Sequence, residues 1–78
     1  MTHHETKTGT RDVTYNLISI AYHALQGAEN YAMYADDADQ AGDMDSARFF
    51  REVMEEERKR ADKAKELLRT RLSGEDKR

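Results

Sequence analysis

From Val13 to about Gln40 the chain runs without a proline, and Leu17, Ala21, Ala24, Ala28, Tyr31, Ala35 and Ala38 recur at alternating gaps of four and three. That spacing places all of them on one stripe of an α-helix. Because the stripe is mostly alanine, a second helix can approach it closely. The chain supplies such a helix. Ala47, Phe50, Met54, Ala61, Ala64 and Leu68 follow the same alternation, and Glu57 fills the slot between Met54 and Ala61. Two matched seams predict an all-α fold, a two-helix antiparallel hairpin with helices near 12–40 and 43–73.

The punctuation agrees with this reading. Thr10 or Asp12 can cap the first helix by accepting from a free N–H of its first turn. In the connection Asp39-Gln40-Ala41-Gly42-Asp43, Gly42 suits the left-handed residue past a helix end and Asp43 can cap the next helix. The stretches 1–11 and 74–78 are polar and without periodicity, so flexible tails are expected on either side of a hairpin domain at 12–73.

A hairpin alone leaves a problem of coverage. Val13, Tyr15, Ile18, Ile20, Tyr22 and Leu25 flank the first seam on both sides, while Asn16, Ser19, His23 and Gln26 form a narrow polar strip. One partner helix cannot cover so wide an apolar band. Chains of 78 residues are also marginal on their own core, and this one is 37% charged with a mean hydropathy of -1.04. With no cysteine, disulfides and thiolate metal sites are excluded. Oligomerisation or a carboxylate and histidine metal site remains. The apolar band favours the first: a homodimer or larger assembly in which hairpins pack as a four-helix bundle. Its expected interface takes Leu17, Ile18, Ile20, Ala21, Ala24, Leu25, Ala28 and Tyr31 from the first helix. The second helix contributes Phe50, Met54 and Leu68.

Several function classes drop out. A net charge of -3 argues against a nucleic-acid binder. No apolar run is long enough to span a membrane, and the polar start lacks the apolar core of a signal peptide, so a cytoplasmic protein is expected. Gly-rich phosphate loops and serine-nucleophile motifs are absent, and a non-catalytic role is expected. The segment from Asp37 to Gly42 begins like an EF-hand loop, but Ala41 and Arg48 stand where calcium requires oxygen ligands. Arg58, Lys59, Arg60, Lys63, Lys65, Arg69 and Arg71 crowd the latter half of the second helix. They make a surface for an acidic protein partner, beside the plainer role of complementing the helix dipole. Gly27 is either a close crossing point or a neutral surface glycine.

The stretch from Ala24 to Leu68 resembles one half of a rubrerythrin or ferritin-like bundle. The residues that carry the resemblance are Tyr34-Ala35, Ala38 and Gly42, then Phe49-Phe50-Arg51-Glu52, then Glu56-Glu57 and Ala61. In that family each hairpin supplies a Glu from its first helix and a Glu-x-x-His from its second, and these hold two irons. Here the second motif reads Glu57-Arg58-Lys59-Arg60, and the first-helix position is Ala24. Arginine has no lone pair to give a metal. The resemblance therefore implies the fold and argues against a standard di-iron centre, so no cofactor is expected. The alternative it leaves is iron or manganese at a rearranged interface site, with Glu57, Glu29, His23 and Glu56 as candidate ligands.

Overall fold

The computed structural model describes residues 12–76, and over them the chain forms two helices joined by a tight turn. Helix α1 spans Val13–Ala41 and helix α2 spans Met44–Asp76. The described residues contain no strand, and none of their helices is long and apolar enough to cross a membrane. The tail expected at 1–11 lies outside the described residues, as do positions 77 and 78.

Each helix end has a chemical cause. Asp12 is extended, and its Oδ1 accepts from the Tyr15 N–H at 3.2 Å, so Asp12 caps α1. At the other end Gly42 takes φ 76° and ψ 14°, a conformation that a Cβ would strain. Its N–H donates to the Asp39 carbonyl at 3.0 Å, and the Asp43 N–H donates to the Ala38 carbonyl at 2.9 Å. These two bonds satisfy carbonyls that the helix leaves open. Asp43 then starts α2: its carboxylate accepts from the Ser46 N–H at 3.1 Å and from the Ser46 hydroxyl at 2.7 Å. The hydroxyl bond first, and the backbone bond second, hold the Asp43 carboxyl below its ordinary 3.8. At its far end α2 continues past the expected stop at 73, through Gly74 to Asp76. Gly74 does not take the positive φ that ends α1 at Gly42, and no proline intervenes.

The two seams meet as their spacing predicts. The buried residues are Ala24, Ala28, Ala35 and Ala38 of α1 against Ala47, Ala61 and Ala64 of α2. Ala47 and Ala61 are 0% exposed, and no larger side chain among the described residues is fully buried. Leu17, Ala21, Tyr31, Phe50, Met54 and Leu68 are half-buried at the edges of the seam. A buried methyl group contributes about 0.8 kcal/mol, against about 1.5–3 kcal/mol for a whole Leu or Phe side chain. The best-buried positions thus contribute the least per residue. Ile18, Ile20 and Leu25 stay exposed, at 48%, 46% and 43%.

Ion pairs finish the hairpin. Arg51 reaches back across the turn to Asp39 Oδ2, which answers one of the acids crowded at the C-terminal end of α1. Asp39 Oδ1 is shielded from solvent and has no hydrogen-bond partner. Along α2 the pairs are Asp45–Arg48 at 3.2 Å, Glu55–Arg58 at 3.3 Å and Glu57–Arg60 at 2.7 Å. At the open end Arg71 Nε donates to Thr14 Oγ1 at 3.1 Å.

Candidate functional site

Packing the two seams together gives the hairpin two long flanks that differ in chemistry. Val13, Ile20, Gly27 and Tyr34 lie seven residues apart on α1, and Val53, Arg60 and Leu67 lie seven apart on α2. The heptad step keeps each row on one face of its helix, and the depressions lined by Ile20 with Leu67 and by Gly27 with Arg60 put both rows on one flank, the groove flank. Three depressions lie along it. Near the open end Leu17, Ile20, Ala64 and Leu67 form an apolar floor with Glu56, Lys59, Arg60 and Lys63 around it, enclosing about 630 Å³. In the middle a cleft of about 380 Å³ is lined by Ile20, His23, Ala24, Gly27, Tyr31, Glu57 and Arg60. Near the turn Tyr34, Asp37, Ala38, Ala41, Asp43, Ser46 and Phe50 surround about 410 Å³. Aromatic contacts link the last two: the rings of Tyr31 and Tyr34 are 5.7 Å apart, and those of Tyr34 and Phe50 are 5.6 Å apart.

The opposite flank, called here the basic flank, pairs Ile18 and Leu25 of α1 with Arg51, Arg58 and Lys65 of α2, all at heptad spacing. The Asp39–Arg51 ion pair ties its two helices together near the turn.

Glu57 sits at the centre of the groove flank. Its side chain is 21% exposed, and its Oε2 is 2.7 Å from Arg60 Nη1. Space for it comes from Gly27, because a Cβ there would lie 3.8 Å from Glu57 Cγ and 3.7 Å from Tyr31 Cε2. Gly27 is therefore where α1 passes under the one carboxylate in the seam of α2. A methyl at that position would make ordinary van der Waals contact, so Gly27 is not required within a single hairpin.

The four candidate metal ligands are only partly brought together. Glu57 and His23 line the same cleft, and Glu56 lines the adjoining depression. Glu29 is exposed and falls in heptad register with Tyr15 and Tyr22, away from the cleft. His23 is exposed; its Nδ1 lies 3.3 Å from Ser19 Oγ, and its ring stands edge-on to Tyr22. Among the described residues no three His, Asp or Glu side chains are grouped to hold a metal ion. Glu57 is engaged by Arg60, the residue that stands in the histidine position of the Glu-x-x-His pattern. One hairpin therefore does not fit a di-iron centre, because it offers one carboxylate and one imidazole where the pattern asks for more.

Sequence reasoning singled out Glu57 but left Gly27 undecided and did not anticipate the Asp39–Arg51 pair. The signal for that pair was present: an acid in the last turn of α1 and an arginine in the second turn of α2, both on the flank of Ile18 and Leu25. No protein family, curated protein or solved structure matches the chain.

Proposed function

We propose that the chain acts as a self-associating structural unit, a non-catalytic hairpin that completes a ferritin-like four-helix bundle with further copies of itself. The observation that carries this reading is the mismatch between seam and flanks. The seam is alanine, while Ile18, Ile20, Leu25, Phe49 and Leu67 are each more than two-fifths exposed. Leaving bulky apolar side chains in water while burying methyl groups forgoes most of the available hydrophobic stabilisation. Exposed apolar side chains gathered on one flank, as Ile20, Tyr34 and Leu67 are, suit a protein–protein contact. Sedimentation velocity at micromolar concentration is expected to give a dimer or a larger species. A stable, fully helical monomer would overturn the reading.

A second reading rests on the cleft that Glu57 shares with His23. If two chains each contributed these groups, together with Glu56 or Glu29, iron or manganese could be held between them by carboxylate and imidazole ligands. Inductively coupled plasma mass spectrometry of the purified protein decides this: stoichiometric iron or manganese supports it, and metal-free protein rejects it. The basic latter half of α2, from Arg58 through Lys59, Arg60, Lys63 and Lys65 to Arg69 and Arg71, suits an acidic protein partner, and such binding would weaken as salt is raised.

A further inference from the structure

We infer that the second copy docks on the groove flank, antiparallel, with the two-fold axis passing at Gly27 and the Glu57–Arg58 bond. This rests on the self-association proposed above and adds the face, the orientation and the register.

Both helices are self-complementary about one level, and that level is the same in both, since Gly27 lies directly beneath Glu57. On α1 the flank reads Ile20, Gly27, Tyr34, with the two large side chains equidistant from the glycine. Antiparallel pairing at Gly27 sets Ile20 of each copy against Tyr34 of the other and leaves the smallest residue at the crossing. On α2 the outward strip reads Glu52, Glu56, Lys59, Lys63, acidic on one side of the Glu57–Arg58 bond and basic on the other. Turned antiparallel about that bond, Glu56 meets Lys59 of the second copy and Glu52 meets Lys63. The central ion pair of Glu57 with Arg60 presents no net charge to the second copy.

The basic flank has none of this symmetry. Its row on α2 is Arg51, Arg58 and Lys65, with Arg51 held by Asp39 and Arg58 by Glu55, and an antiparallel copy centred on Arg58 would set Arg58 against itself and Arg51 against Lys65, with no acid of the row to meet them. Like charges across an interface work against that pairing.

The absence of cysteine makes the register directly testable. Single variants Gly27→Cys, Ile20→Cys, Tyr34→Cys and Leu25→Cys are treated with a short bis-maleimide, and their association is followed by sedimentation. Gly27→Cys is expected to crosslink to itself in high yield. Ile20→Cys is not expected to do so, because its two copies would stand about 21 Å apart along the helix axis at 1.5 Å per residue. Mixed with Tyr34→Cys, it should crosslink. Leu25→Cys should remain uncrosslinked. An oligomer that crosslinks through Leu25→Cys and not Gly27→Cys overturns this arrangement while leaving self-association standing, whereas a monomer removes both.

A charge swap provides a check that does not depend on crosslinking. Glu52→Lys with Glu56→Lys, and separately Lys59→Glu with Lys63→Glu, should each associate roughly tenfold more weakly than the parent. Mixing the two double variants should restore association as a heterodimer. Equal association of the separate variants and the mixture overturns the register.

Discussion

At the turn, the open backbone groups and the capping carboxylate are answered within a few residues. Gly42 takes the left-handed conformation, the Asp39 and Ala38 carbonyls receive their N–H donors, and Ser46 satisfies both oxygens of Asp43. Along the groove flank the reverse holds. Ile20, Tyr34 and Leu67 are each more than two-fifths exposed, and the depressions between them are open. The turn is closed within one chain, whereas the flank is the face that the self-association proposed above would cover. Changes at the turn should therefore alter stability equally at every protein concentration, whereas changes on the flank should act through concentration.

The largest effect is expected from Ile20→Lys. A charge placed in a dry interface costs several kcal/mol. The variant should dissociate and lose helicity together, with the loss reduced at high protein concentration. Leu25→Lys, equally exposed in one chain but on the basic flank, should be far milder. Circular dichroism across a dilution series checks both, and equal damage from the two would erase the distinction between the flanks.

Next comes Gly42→Ala, which forces a Cβ into φ 76°. The cost should be about 1–2 kcal/mol and the same at every concentration. A concentration-dependent loss would mean that the turn, too, is finished by a neighbour.

Smaller still is Glu57→Leu. The substitution removes only one partner of the ion pair, but in the single hairpin Arg60 is 54% exposed and keeps its hydration, so on dilute protein the loss should be small. Thermal melts with and without chelator should agree to within about 1 kcal/mol of the parent. Early melting together with lost metal would instead favour the carboxylate site.

The smallest expected effect belongs to Asp43. Its folded carboxyl titrates below the ordinary 3.8 because Ser46 donates to it twice. A depressed carboxylate stabilises the fold above the unfolded value, and that contribution is lost as pH falls through the folded one. Asp43→Asn should therefore be less stable than the parent near neutrality. The two should converge as pH drops below 3.8, whatever the protein concentration.

The seam was open to reading because its signal is periodic. Ala24, Ala28, Ala35 and Ala38, with Ala47, Ala61 and Ala64, are placed by spacing alone, and they are the residues the hairpin buries. The turn was legible for a different reason, as Gly42 and Asp43 each have one strong local preference. Position 57 stood out because a carboxylate interrupts an apolar stripe. Arg60, one turn along the same helix, could be read as its counter-charge, whereas the room left by Gly27 comes from the other helix and could not. The pairing of Asp39 with Arg51 depends on how the two helices meet across the turn, which no single-helix pattern encodes. The expected interface residues were a mixed set. Ala24 and Ala28 are consumed between α1 and α2, whereas Ile18, Ile20 and Leu25 are left free of the seam.

A turn closed by only Gly42 and Asp43 also sets an order of events. The contacts nearest it, such as Ala38 with the start of α2, span few residues and require little loop closure. Each later contact along the seam needs only a small further closure once its neighbour has formed, so the hairpin should zip outward from the turn. The bond from Arg71 to Thr14 joins residues 57 apart in sequence and should close last. Amide exchange would then be slowest beside the turn and fastest toward Val13 and the end of α2. The open end is then the part of the fold that would gain most from the second copy proposed above.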